Sequence, residues 1–224
     1  MSLAEITEAY HSQAMNSERA RDYFAGFGVS IESMREFGLG YIMEPVRDSH
    51  ESLTGCAVLP YVTVSGKVIQ LRFNPFEWDI ARRFEQGVFE VDYPLAVPEA
   101  HLFNVRHALP GLRTHETVLV EDTLSAVLLR QQGARVVGVP GYERFHLAWL
   151  ELFRESMVTL VSNEASQVES LGLLRRFSKA GIDHEAVVLP GERTLADLFQ
   201  EGATLSEIRS SFHVKIRDHG PEFD

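Results

Sequence analysis

Two adjacent carboxylic acids, Glu121 and Asp122, hold the position in this chain that best suits ligand chemistry. They follow a short apolar run, residues 118–120, which is too short for a helix and predicts a buried strand. Apolar residues then recur with helical spacing from Leu124 onward, so the pattern changes from strand to helix just after Glu121. Open parallel sheets gather their ligands at the carboxyl ends of strands, and hard cations prefer carboxylate oxygens. The pair is therefore a candidate ligand site.

The same acidic pair has a second interpretation that needs no ligand. Carboxylates in the first turn of a helix complement its dipole, an effect worth about 0.3–1 kcal/mol. The local pattern leaves both interpretations open, and the surrounding elements have to decide between them.

The second half of the chain alternates strands with helices. This alternation predicts a parallel sheet covered by helices on both faces. The predicted strands are 117–120, 135–139, 157–161 and 185–189, and the predicted helices are 123–132, 144–155, 166–180, 194–201 and 204–211.

The first half mixes helices and strands and predicts a small α+β subdomain. Ser17 and Ser30 are placed to cap two short helices, which Gly28 and Gly38 end. A β-hairpin with a Ser-Gly turn at 65–66 follows. The predicted fold class is thus α/β, a parallel sheet flanked by helices and preceded by this mixed subdomain. The predicted segments are 1–16, a polar stretch forming a loose or partner-dependent helix, 17–110, the mixed subdomain, 111–212, the α/β subdomain, and 213–224, a polar tail.

Composition narrows the classes of function. The chain has 224 residues, 45% of them hydrophobic, and a formal net charge of −11. With no basic run longer than a pair, that charge disfavours a protein that grips duplex DNA through a broad basic face. Cys56 stands alone, which rules out an internal disulfide and argues against a zinc site. Because the N-terminus is polar and acidic and no apolar run reaches membrane length, we expect a cytoplasmic protein with no membrane partner.

Four stretches of the second half follow the order of the motifs of Toprim domains. Residues 118–126 resemble the first Toprim motif, with Glu121 at the place of its glutamate. The other three are 136–141, which resembles the second strand and its glycine turn, 158–166, at the place of the Asp-x-Asp motif, and 187–199, similar to the stretch that follows in bacterial-type primases.

The first half resembles the same bacterial-type DNA primases independently. Residues 20–41, 58–62, 66–72 and 102–104 are similar to successive parts of the primase segment that leads into the Toprim strand. The ordered resemblance implies a primase-like polymerase core, whose cleft between two subdomains holds single-stranded DNA template and nucleoside triphosphates. It also implies Mg²⁺ or Mn²⁺ as cofactor and, as the setting, the cytoplasm of a bacterium or of a phage-infected host. A replicative helicase or a second primase subunit is a further expected partner, and a second subunit would explain why no cysteine-rich zinc module accompanies the core.

The resemblance implies Glu121 as the catalytic residue and a metal site built from Glu121, Asp122 and Glu164. Asp122 stands where the family has glycine, and Ser125 stands where it has a companion aspartate.

The Asp-x-Asp motif can be placed in two registers. It falls on Val161 and Asn163, or one residue further on, on Ser162 and Glu164. Either register supplies at most one carboxylate where the family has two, so the coordination of any metal ion would be non-standard.

Three further residues are candidate contacts to nucleic acid or nucleotide. Arg72 and Arg106 lie where the family places basic contacts, and Asn104 ends the segment that leads into the Toprim strand. The alternative for each arginine is an ordinary surface ion pair.

Three hypotheses about function remain open at this stage. The first is a working minimal primase, a nucleotidyltransferase with altered metal ligands that acts in DNA replication. The second is a catalytically inactive primase-derived module that binds single-stranded DNA, nucleotide or a replication partner. The third is a Toprim-type nuclease or an unrelated α/β binding protein.

Overall fold

The structure, a computed structural model, describes residues 1–75, 88–91, 102–108, 116–121 and 123–214, and its strands form two sheets. The first sheet is antiparallel throughout, and each of its strands pairs with the next in the chain. Its strands are β1 (Gly40–Tyr41), β2 (Cys56–Val62), β3 (Val68–Pro75) and β4 (Val88–Val91).

The second sheet carries the predicted parallel architecture, which is confirmed. Its strands lie in the order β6-β5-β7-β8-β9, and all neighbours are parallel except the last pair. The strands are β5 (Thr117–Val120), β6 (Val136–Gly138), β7 (Val158–Asn163), β8 (His184–Leu189) and β9 (His213–Val214). Strand β9 corrects one expectation, since residues 213–214 add an edge strand to the sheet instead of belonging to a polar tail. Residues 215–224 lie outside the described residues.

Four helices accompany the parallel sheet in the part of the chain that the structure describes. They are α4 (Thr123–Gln131), α5 (Gln167–Lys179), α6 (Leu195–Gln200) and α7 (Leu205–Phe212), following the first-half helices α1 (Leu3–Asn16), α2 (Glu18–Gly26) and α3 (Ile31–Phe37). The predicted helix 144–155 is wrong in type. Two 3₁₀ segments, Tyr142–Arg144 and Leu147–Phe153, take its place, because the chain turns extended at Phe145 and His146 caps the second segment through its Nδ1.

The N-terminal segment is a packed helix and not the loose one expected from its polar composition. Its apolar side chains recur with helical spacing, so Leu3, Ile6, Tyr10 and Ala14 are all buried on one face of α1. A reciprocal capping box between Ser2 and Glu5 fixes the first turn. The predicted caps of the next two helices, Ser17 and Ser30, are confirmed by their side-chain hydrogen bonds.

The two halves share one hydrophobic core. Its buried members include Phe24 and Tyr61 from the first half and Leu128 and Leu198 from the second. Polar contacts run alongside, since the Gln131 amide donates to the Gly28 carbonyl at 2.9 Å and accepts from the Ser30 N–H at 2.8 Å. The boundary between the segments near residue 110 falls in 109–115, outside the described residues, and it stays a proposal. No helix in the described ranges is long and apolar enough to cross a membrane.

Cys56 is expected to be chemically inert in the folded protein. It is fully buried in β2, and burial raises the pKa of its thiol to about 11. Because the thiolate is the reacting species, a thiol reagent at about pH 8 should label the native protein only as fast as it unfolds. Labelling with and without urea measures this. A native rate equal to the denatured rate would contradict the burial.

Candidate functional site

A small polar pocket, here the edge pocket, opens at the carboxyl ends of β5 and β7, where the sequence places Glu121. It is shallow and open to solvent, with a cavity volume of about 60 Å³. Its polar lining consists of Glu121, Ser125, Ser162, Asn163, Ser166, Arg193 and Thr194, and apolar side chains complete the wall: Val120, Val161, Leu189 and Leu195.

The topology of the parallel sheet explains why these residues meet. Strands β5, β7 and β8 run in the same direction, so their carboxyl ends lie at one edge of the sheet. Each strand is followed by a helix, and the helix N-terminus therefore begins at that edge. The ends of these three strands, the connections after them and the first turns of the helices supply the whole lining of the edge pocket.

Glu121 is half-buried and is held in place by Tyr142. The backbone N–H of Tyr142 donates to Glu121 Oε1 at 2.8 Å. Burial raises the pKa of the Glu121 carboxyl, and the nearby Glu143 and Glu169 act in the same direction, whereas the Tyr142 N–H and the Ser166 hydroxyl lower it. Burial is the largest of these effects, so the pocket disfavours the ionised form of this carboxyl.

Sequence reasoning did not foresee Tyr142 as a supporting residue of this site. Its ring is fully buried, and its hydroxyl donates to the carbonyl oxygens of Leu119 in β5 and Val161 in β7. The side chain therefore joins the two strands beneath the pocket while the backbone holds Glu121. The available signal was its place after the Pro-Gly turn at 140–141, directly beyond the strand next to β5.

Asn163 organises the loop between β7 and α5. Its Oδ1 accepts from the Ser166 N–H at 3.0 Å, and its Nδ2 donates to the Arg193 carbonyl at 3.3 Å. Val161 and Asn163 both line the edge pocket, whereas Glu164 does not. The Glu164 side chain is exposed, and its backbone N–H donates to the Leu189 and Gly191 carbonyls. Ser162 also lines the pocket, so each register of the Asp-x-Asp motif places at least one residue there and both stay open.

Of the metal ligands implied by the resemblance, Glu121, Asp122 and Glu164, only Glu121 and Glu164 are among the described residues, and the three-residue site stays a prediction. Among the described residues no group of three or more His, Cys, Asp and Glu side chains is placed to hold a metal ion. Glu121 lines the edge pocket, Glu164 lies outside it, and Asp122 lies outside the described residues. A described lining with one half-buried carboxyl and one guanidinium, that of Arg193, does not fit the carboxylate-rich site that a hard cation requires.

The three candidate nucleic-acid contacts lie away from the edge pocket. Asn104 is only 3% exposed, and its Nδ2 donates to the Val136 carbonyl at 3.1 Å, which gives it a structural task. Arg106 is exposed and lies 3.5 Å from Glu36. Arg72 is half-buried in the middle of β3, between β2 and β4. Their roles in binding stay predictions.

Comparison with known proteins gives matches to solved structures and none by sequence. No protein-family model and no curated protein sequence matches the chain. Among solved structures, it is similar to a DNA primase domain from Pseudomonas aeruginosa, with a TM-score of 0.74 and 16% identity over 94% of this chain and 78% of that one.

Two further similar structures contain DNA. The DnaG primase catalytic domain bound to single-stranded DNA matches with a TM-score of 0.71 and 16% identity, covering 94% of this chain and 77% of that one. The RNA polymerase domain of Mycobacterium tuberculosis primase DnaG in complex with double-stranded DNA matches with a TM-score of 0.70 and 18% identity, covering 92% and 77%. The chain therefore has the fold of the bacterial primase catalytic core.

Proposed function

We propose that this chain is a primase-like protein of DNA replication that binds single-stranded DNA and has lost the metal-dependent chemistry of primer synthesis. The observation that carries this proposal is the lining of the edge pocket. The pocket lies where the resemblance places the catalytic carboxylates, but Glu121 is the one carboxyl among its described lining residues. In the resemblance, the neutral Ser125 stands at the place of the companion aspartate, and in one of the two registers Asn163 stands at the place of an aspartate of the Asp-x-Asp motif.

The DNA part of the proposal is supported by the fold and limited by the charge. Two structures of this fold were determined with DNA. A net charge of −11 leaves this chain without the general attraction to phosphates that a basic protein has. Binding would thus depend on local contacts, with Arg72 and Arg106 as the candidate cations, and would be weak at high salt. A replicative helicase or a second primase subunit would raise the local concentration of the template.

Glu121 itself favours a second candidate function. It keeps the place of the Toprim glutamate at the end of β5 and faces the edge pocket. A working minimal primase would be a nucleotidyltransferase that uses Glu121, and it would need Mg²⁺ or Mn²⁺ with further ligands from Asp122 or a second subunit.

One experiment separates the two candidates. Fluorescence anisotropy with a labelled single-stranded oligonucleotide would be measured in EDTA and in Mg²⁺ or Mn²⁺, and primer synthesis would be assayed with the same template. With an oligonucleotide that carries no 5′-phosphate, we expect binding that chelation does not change, no primer product, and equal binding by Glu121→Gln. Metal-dependent primers that Glu121→Gln abolishes would overturn the proposal and establish the second candidate.

A further inference from the structure

Two helices direct their N-termini at the edge pocket. Ser125, in the first turn of α4, and Ser166, the N-cap of α5, both line it. The first N–H groups of a helix have no partners within the helix, and the dipole makes this end partly positive, so it attracts anions. The Ser166 hydroxyl makes no capping hydrogen bond to the first turn of α5. A helix end alone would not define a binding site.

Ser162 supplies an independent indication that a ligand belongs in the pocket. This residue is only 5% exposed and lines the edge pocket. Its hydroxyl Oγ has no hydrogen-bond partner among the described residues. An unpartnered buried hydroxyl costs about 1–3 kcal/mol, and an acceptor oxygen of a ligand in the pocket would remove that cost.

The chemistry of the pocket favours a ligand that accepts hydrogen bonds. Serine hydroxyls, helix N–H groups and a guanidinium all donate, and Arg193 is the cation that lines the pocket. The Arg193 guanidinium is paired with Glu201, so its charge is partly neutralised. A hard cation would instead need several acceptor oxygens, preferably from carboxylates. Glu121 supplies the single carboxyl among the described lining residues.

We infer that the edge pocket binds a phosphate monoester directly, without a divalent cation, through Ser162 and the N-termini of α4 and α5. The inference rests on the proposed function, because it names the chemical group that the same site takes. That group could be the 5′-phosphate of a single-stranded DNA or the phosphate of a free nucleotide. Glu121 opposes the ligand's charge, with Glu143 and Glu169 behind it, so the binding is expected to be moderate.

The test compares ligands with and without the phosphate, all in EDTA. One pair is a labelled single-stranded oligonucleotide with and without a 5′-phosphate, and the other is adenosine 5′-monophosphate and adenosine. We expect the phosphate to strengthen binding about tenfold, the effect of one good charge-assisted hydrogen bond. The pair that shows the preference identifies the source of the group.

Two variants assign the effect to the edge pocket. Ser162→Ala should remove most of the phosphate preference, measured as the ratio of the affinities for the phosphorylated and unphosphorylated ligands. It deletes a hydroxyl that has no partner among the described residues, so the unliganded protein should melt no lower than the wild type. Should it fold poorly, Ser162→Cys keeps the volume with a weak donor. Glu121→Gln removes the opposing charge and should strengthen phosphate binding, whereas a cation site would be lost.

The outcomes separate this inference from the proposed function. Equal binding of both oligonucleotides, with no preference for adenosine monophosphate, would overturn the inference and leave DNA binding intact. A phosphate preference seen with adenosine monophosphate, while neither oligonucleotide binds, would support the inference and contradict the proposed function. A preference that needs Mg²⁺, or that Ser162→Ala leaves unchanged, would overturn the inference.

Discussion

Replacing Phe103 with alanine is expected to lower the free energy of unfolding by about 3–5 kcal/mol, as for other buried phenylalanines, and to uncouple the two halves of the chain. Phe103 is 2% exposed and lies where three elements meet. Its ring stacks on Phe37 of α3 and meets Tyr61 of β2 edge-on, with both centroids 5.4 Å away. Its backbone pairs with Gly138 of β6. Alanine would therefore open a cavity at the junction itself.

Urea unfolding followed by two probes measures this uncoupling. Far-UV circular dichroism reports both halves, and in a Trp78→Phe background the fluorescence of Trp149 reports the second. The two curves should coincide in the wild type and separate in Phe103→Ala. The control is Phe177→Ala, which removes the same ring from the aromatic cluster of the second half, beside Phe145. Its curves should still coincide. Coincident curves with an unchanged midpoint in Phe103→Ala would contradict the role of this junction.

The order of the elements could be predicted from the sequence because apolar residues recur with a different spacing in strands and in helices. The strand at 117–120 is apolar throughout, and the helix that follows repeats its apolar residues every three or four positions. The same signal failed at 144–155, because Phe145, Trp149 and Phe153 have helical spacing whether the backbone is α-helical or turns through two 3₁₀ segments. At residues 1–16 the same spacing is a better guide than composition. Four apolar residues on one face make this segment a packed helix although most of its residues are polar.

The candidate site shows where sequence reasoning ends. The position of Glu121 at the end of a strand follows from pattern alone, and its place in the edge pocket agrees with that. The register of the Asp-x-Asp motif depends on which side chains of β7 face the pocket. The sequence of this six-residue strand fits both registers equally well. The contribution of Tyr142 depends on a backbone N–H and a buried hydroxyl reaching across the sheet, which spacing cannot show.

The largest change in ligand preference is expected from the double variant Ser125→Asp and Asn163→Asp. It would place two carboxylates in the edge pocket beside Glu121, so that Mg²⁺ could bind carboxylate oxygens and keep several waters. Without metal the variant should be less stable by several kcal/mol, because Ser125 is buried and the Asn163 amide would no longer donate to the Arg193 carbonyl. Mg²⁺ at about 100 times its Kd should restore about 2.7 kcal/mol.

Thermal unfolding with increasing Mg²⁺ measures this restoration, and the wild type should show little response. Adding Glu121→Gln to the double variant is the matched control, since it keeps both new carboxylates and removes the native one. The Mg²⁺ response should then fall, because three converging carboxylates bind a hard cation better than two. The double variant should also lose the phosphate preference, because added negative charge repels the ligand that the serines attract. A double variant that folds and ignores Mg²⁺ would mean that Ser125 and Asn163 do not stand in for the family's aspartates, and the edge pocket would then have an origin other than a lost metal site.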